Sequence, residues 1–337
     1  MTGGRGRRRA QPGPIHFHRS TSAQSRAMRT AARAVLKPVF RLWPLTPGGV
    51  GTLRHIDSLA TAVWRPEGCD YRKTTLRGIP AEVVTSHRRP TLPLEDTTVL
   101  YFHGGAFVLG GIGTHRGACA LLAERSGATV ISAEYTQVPN GSVADSVRDA
   151  MTAYERVLDT CPDPTRVVVA GDSAGGYLSV KVAELATERG LQQPLAVLGF
   201  SPQLSLFPDQ DPEKWARATR QRDAYLPLRR ITRLRPFWLP AGSTLEGNVS
   251  VLDAVGQVYA PVFFTACDDE ALYPDIEDMT ERLAAAGRTV ETHVWSGQIH
   301  AFPAFGAALP EAREAIMLAV DFVRGILRDA RSGREAG

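Results

Sequence analysis

The short apolar run Val167-Val-Val-Ala-Gly171 leads directly into Gly171-Asp-Ser-Ala-Gly175, and a helical pattern begins immediately after it. A serine held between two glycines at a strand-to-helix junction restricts the folds open to a chain. The turn is so tight that a side chain at either glycine would collide with the neighbouring strand or helix, and it pushes the Ser173 hydroxyl outward. The Ala174 backbone N–H points into the same space from a helix N-terminus, where unpaired N–H groups favour developing negative charge. Such a junction needs a sheet behind it. From about residue 56 onward, β-branched runs alternate with amphipathic segments, which predicts an α/β fold with a mostly parallel sheet and helices on both faces. Strands are expected near 81–85, 97–102, 129–135, 166–171, 195–200, 262–266 and 289–295, and helices near 116–125, 142–158, 176–187, 276–286 and 311–327.

About seventy residues upstream of the serine, Val99-Leu-Tyr-Phe102 runs into His103-Gly-Gly-Ala-Phe107. Two glycines after a strand let backbone N–H groups turn toward a bound carbonyl oxygen, which would supply the remaining donors to an oxyanion. The stretch up to Gly111 lacks G-x-G-x-x-G spacing, so it does not read as a dinucleotide site. A serine hydroxyl needs a histidine to take its proton and a carboxylate to orient that histidine. His300 follows the last expected strand, in the loop Trp295-Ser-Gly-Gln-Ile-His-Ala-Phe302. The chain order serine, acid, histidine then calls for an acid at a strand end between them, and Cys267-Asp-Asp-Glu-Ala-Leu-Tyr-Pro-Asp275 provides it. Asp269 is the first choice there, Asp268 the second and Glu270 the third, with Asp275 expected to cap the following helix.

Charge is unevenly distributed. The first 56 residues hold eleven Arg or Lys and no Asp or Glu, so the net charge of +4 belongs to an N-terminal arm while the remainder is mildly acidic. Residues 1–22 are expected to be a disordered basic tail, since their Gly, Pro, Arg and Ser cannot bury a core. They do not offer the basic face interleaved with aromatics that nucleic-acid binding requires. Residues 23–55 are expected to be a helical cap segment, in which Arg29, Arg33 and Lys37 recur every four residues and Pro38 ends or kinks the helix before Val39, Phe40, Leu42 and Trp43. Two readings of that segment stay open: part of a cap, or a weak contact with an anionic membrane surface. Residues 56–337 form the main domain, with an insertion at about 203–248 rich in Pro, Arg and aromatics. The four cysteines are widely spaced, with no CxxC pair, and no apolar stretch is long enough to span a bilayer. A cytoplasmic protein with reduced cysteines and no structural zinc site is expected.

Taken in order, HGGAF, GDSAGG, DDEALYPD and SGQIHAF give the chain a resemblance, over about residues 56–327, to the hormone-sensitive-lipase-like branch of α/β hydrolases, a group of esterases, lipases and acetyl hydrolases. The resemblance implies a catalytic triad of Ser173, Asp269 and His300, oxyanion donors at Gly104, Gly105, Ala106 and Ala174, and a helical cap made by the N-terminal segment and the insertion. It implies a serine carboxylesterase acting on short- to medium-chain acyl esters through an acyl-enzyme, with no metal or cofactor. A deacetylase or amidase acting on an acylated metabolite or antibiotic is the alternative, and homodimerisation is left open. The chain departs from the family pattern at Ala106, at Tyr135-Thr-Gln-Val-Pro-Asn140 and at Ser205. These positions buttress the site more than they perform chemistry.

Overall fold

The seven apolar runs read as strands all form strands, and two further strands flank them. The structure, a computed structural model, describes residues 14–52, 57 and 65–335. In chain order the strands are β1 (Ile15–His18), β2 (Cys69–Leu76), β3 (Ile79–Ser86), β4 (Thr98–Phe102), β5 (Thr129–Ala133), β6 (Val167–Asp172), β7 (Ala196–Phe200), β8 (Val262–Cys267) and β9 (Val290–Trp295). They make one sheet in the order β1-β9-β8-β7-β6-β4-β5-β3-β2. All neighbours run parallel except β2 with β3 and β3 with β5. The central strands β4, β6, β7 and β8 are buried along their whole length, as expected for strands covered on both faces.

Among the described residues, seven main helices accompany the sheet: α1 (Ala23–Ala31), α2 (Ile112–Ser126), α3 (Val143–Thr160), α4 (Ala174–Glu188), α5 (Pro212–Arg220), α6 (Tyr273–Ala285) and α7 (Pro310–Glu335). One face of the sheet packs Leu100, Phe102 and Val169 against Val147, Met151 and Tyr154 of α3 and Tyr177 and Leu178 of α4. The other packs Val99, Tyr101 and Val168 against Leu121 and Leu122 of α2 and Ile316 and Val320 of α7. This two-sided core fixes the C-terminal ends of β4, β6, β8 and β9 in one row, and the loops that leave those ends carry the four motifs.

The expected disordered tail is corrected at its inner end. Residues 15–18 pair as β1 with β9, His16 opposite His293 and His18 opposite Trp295. The rest of that tail up to residue 13, and residues 53–55 of the expected cap segment, lie outside the described residues. β2 also escaped the sequence reading, because Cys69-Asp-Tyr-Arg-Lys-Thr-Thr-Leu76 alternates exposed charge with half-buried side chains at the sheet edge and shows no continuous apolar run. Pro38 does not end the N-terminal helix. A π-turn at Ala32–Leu36 resets the helix, and Pro38 falls in the first turn of the next segment, Lys37–Leu42, where its missing N–H costs little. Asp275 lies in the first turn of α6, although Leu272 takes the capping position.

Candidate active site

Ser173 sits between β6 and α4 with φ 49° and ψ −116°, in the left-handed half of backbone space that a side chain rarely enters. The neighbouring structure enforces this conformation. The Ser173 N–H donates to Phe200 O of β7 at 3.0 Å, and its carbonyl accepts from Gln203 N at 2.9 Å. Gly175 is obligatory because a Cβ there would drive into the Phe102 carbonyl and come within 2.7 Å of the His103 carbonyl. Ser173 thus stands at the C-terminal edge of the sheet, a buried residue at 7% exposure.

His300 comes from the loop after β9 and is buried, with Nε2 2.9 Å from Ser173 Oγ. Its Nδ1 lies 2.8 Å from Glu270 Oε2. The carboxylate on the histidine is therefore Glu270, and the expected Asp269 is corrected. Asp268 accepts from Ser296 Oγ at 2.6 Å. Asp269 faces the opposite way, toward Arg29 of α1, whose Nη1 lies 3.3 Å from Asp269 Oδ1 and 3.2 Å from Gln298 O. Glu270 folds back over its own turn, where Oε1 accepts the Cys267 N–H at 3.1 Å, and its additional methylene carries Oε2 across to the imidazole. Burial pushes the Glu270 carboxyl above its usual range, against the opposing pull of His300. Burial acts to lower the basicity of His300, but the hydrogen bond and charge of Glu270 outweigh it and raise the imidazole above its ordinary value.

The loop after β4 is corrected at one position. The Gly104 N–H donates to Asp172 Oδ1 at 3.0 Å and so is committed to the protein itself. A Cβ at Gly104 would come within 2.9 Å of Asp172 Cγ, so glycine here allows the loop to lie against that carboxylate. Gly105 and Ala106 have φ of 119° and 53° and line a cavity together with Ser173 and His300. Ala174 begins α4 beside the hydroxyl, where its N–H belongs to the unpaired first turn. Trp238, from the 203–248 insertion, holds the Ala106 carbonyl through Nε1 at 2.9 Å.

Several contributing residues were not singled out from sequence. Asp172 accepts from Tyr101 Oη at 2.7 Å and faces His115 Nε2 at 3.3 Å. Burial opposes the Asp172 charge, but His115 and Tyr101 hold its carboxyl below the usual range. Tyr225 Oη donates to His300 O at 2.9 Å, while Asp223 accepts from Ala271 N at 3.0 Å and from Leu226 N at 2.8 Å. The insertion is thereby tied to both the acid loop and the histidine loop. Asp172 lies inside the GDSAG motif, which was the available signal. Asp223 and Tyr225 had none, because only the fold brings them to the site.

The cavity over Ser173 has a volume of about 380 Å³. Its walls are largely apolar, with Leu36, Phe40 and Trp43 from the N-terminal segment facing Leu226, Ile231 and Leu234 from the insertion. The patch expected at residues 39–43 is split: Phe40 and Trp43 line the cavity, whereas Val39 and Leu42 are exposed. The cationic row is tied to the insertion, since Lys37 Nζ donates to Asp223 O at 2.7 Å in a half-buried contact and the exposed Arg33 donates through Nη2 to Arg222 O at 3.1 Å.

A family model described as the alpha/beta hydrolase fold matches residues 99–304. The chain belongs to this family. It is 29% identical to Carboxylesterase/phospholipase LipF of Mycobacterium tuberculosis, over 94% of this chain and 86% of the relative. It is 30% identical to Esterase LipU of the same organism, over 69% of this chain and 80% of the relative. It is also 29% identical to an Acetyl-hydrolase of Streptomyces hygroscopicus, over 68% of this chain and 76% of the relative. Among solved structures, an esterase from the bacterial hormone-sensitive lipase family superposes with a TM-score of 0.77 at 24% identity, covering 91% of this chain and 99% of that one. The expected hydrolase fold and the resemblance to hormone-sensitive-lipase-like proteins are both borne out. Among the described residues no helix is long and apolar enough to cross a membrane.

Proposed function

We propose that this chain is a serine carboxylesterase that cleaves short- to medium-chain acyl esters through an acyl-enzyme on Ser173. The observation that carries the reading is the unbroken relay Ser173–His300–Glu270, with contacts of 2.9 and 2.8 Å, opening into an apolar cavity. His300 takes the Ser173 proton as Oγ attacks the ester carbonyl, and Glu270 stabilises the imidazolium that forms. The carbonyl oxygen, now negative, is held by the N–H groups of Gly105, Ala106 and Ala174. His300 then passes its proton to the departing alcohol. Water, deprotonated by the same imidazole, attacks the acyl-enzyme and releases the acid.

An apolar pocket bounded by Phe40, Trp43, Leu226 and Ile231 suits an acyl chain, and its modest volume favours chains of roughly two to eight carbons. The N-terminal segment and the insertion serve as the cap. The half-buried contacts of Arg29 and Lys37 support this over a membrane contact. Four free cysteines suit a cytoplasmic setting. Turnover of p-nitrophenyl esters of rising chain length, beside a matched aryl acetamide, tests the reading. A clear optimum at sixteen carbons overturns the chain-length reading, and faster cleavage of the amide than of its matched ester overturns the preference for esters.

A further inference from the structure

On β9, ahead of the loop that carries His300, the two-residue period of a strand places Glu291, His293 and Trp295 on one face. β1 pairs beside it in parallel and sets His16 opposite His293 and His18 opposite Trp295, so a His-x-His strand adjoins a Glu-x-His strand. One ligand atom from each of His16, Glu291 and His293 lies within 4.8 Å of the others. His293 is buried at 5% exposure and stacks against Phe263 at 5.2 Å, while His16 and Glu291 are half-buried at the rim. An apolar side chain would fill the position of His293 without needing a polar partner. Instead its Nε2 is turned to Glu291 Oε1 at 2.6 Å and its Nδ1 to His18 Nε2 at 2.8 Å.

We infer that His16, His293 and Glu291 form a binding site for a zinc-class divalent cation that clasps the N-terminal strand to β9. Two imidazoles and one carboxylate are a donor set that suits zinc, with water completing the coordination. The residues behind the ligands support this. With Nε2 of His293 bare and turned to the metal, its Nδ1–H donates to His18 Nε2, and His18 Nδ1–H then points to Glu314 Oε1, 3.6 Å away. Each imidazole keeps one proton, and the chain carboxylate, histidine, histidine, metal fixes the tautomer and orientation of the buried ligand. The clasp would matter because β1 leads through Ser22, which donates to Glu311 Oε2 at 2.9 Å, into α1 and Arg29. It lay hidden in the sequence, where His16 and His293 are separated by almost the whole chain.

The test uses the untagged full-length protein with zinc in titration calorimetry and cobalt as an optical probe. One zinc per chain is expected, with affinity lowered about tenfold or more by His16→Ala, by Glu291→Gln and by His18→Ala. Ester turnover in the absence of metal, measured alongside, reports that each variant is folded. Where a variant fails to fold, the wild-type cobalt spectrum decides: an intense four-coordinate band supports the site, and the weak band of hydrated cobalt overturns it. Absence of saturable one-to-one binding, or equal affinity in the folded variants, also overturns it.

Discussion

Glu270 reaches His300 Nδ1 at 2.8 Å by folding back over the turn that ends β8, while the preceding aspartate points the other way, to α1. Three consecutive acids thus have three different partners: Asp268 with Ser296, Asp269 with Arg29 and Glu270 with the imidazole. Glu270→Gln keeps the shape but removes the charge that stabilises the imidazolium, and kcat is expected to fall on the order of 10³- to 10⁴-fold. Asp268→Asn should be nearly silent, and Asp269→Asn should cost far less than Glu270→Gln. Steady-state kinetics on p-nitrophenyl butyrate measures all three, and an Asp269→Asn loss matching that of Glu270→Gln would return the orienting role to Asp269.

Ser173→Ala and His300→Ala are each expected to lower kcat by on the order of 10⁴-fold or more, and the double variant little further, because the members of a triad act as a unit. Labelling by a fluorophosphonate should disappear with Ser173. A double variant much slower than either single one would show that the two residues act independently.

The pH dependence follows from the position of His300. In its proposed role as general base it must be neutral, so kcat/KM is expected to fall as pH drops through its pKa, which the adjoining Glu270 raises above the ordinary imidazole value. Glu270→Gln removes that stabilisation of the imidazolium. The acid limb of its residual activity should therefore move to lower pH, whereas a limb that stays in place would assign it to another group.

Gly104 lies against Asp172, and its N–H is already donated there. Gly104→Ala would push its Cβ into that carboxylate and displace the loop that carries Gly105 and Ala106. A fall in kcat of about 10²-fold or more is expected, comparable to losing an oxyanion donor, with KM changing much less. A change confined to KM would make the loop a substrate-binding element alone.

The parts of the molecule legible in the sequence were those where local pattern and global fold agree. β6 and Ser173 announced themselves because an apolar run, two glycines and a helix signal stand side by side. The carboxylate beside His300 was read one residue early, since Asp269 and Glu270 differ by one methylene and by the way a short turn aims them, and the Arg29 that holds Asp269 comes from a helix 240 positions away in sequence. β1 stayed hidden because Ile15-His-Phe-His18 is too short and polar to signal a strand until β9 offers it an edge. Asp223 and Tyr225 lie in irregular chain whose contacts with the triad loops are entirely tertiary.

The N-terminal segment provides the last test, because its cations could have served a membrane surface or the cap. Arg29 bonds both Asp269 and the Gln298 carbonyl, so a single guanidinium joins the acid loop to the histidine loop. Arg33 and Lys37 continue the row onto carbonyls of the insertion. Arg29→Ala should loosen the relation between Glu270 and His300 and lower kcat about 10- to 100-fold on a soluble ester, since small displacements of reacting groups carry costs of this size. Arg29→Lys should recover only part of it, because a single ammonium cannot span both acceptors as the guanidinium fork does. Deleting residues 1–45 removes β1, this row, Phe40 and Trp43 together, and should abolish soluble-ester turnover. Vesicle sedimentation on anionic lipid, run beside the kinetics, separates the two roles: a 46–337 protein that hydrolyses soluble esters normally but no longer binds vesicles would assign the segment to the membrane and not to the cap.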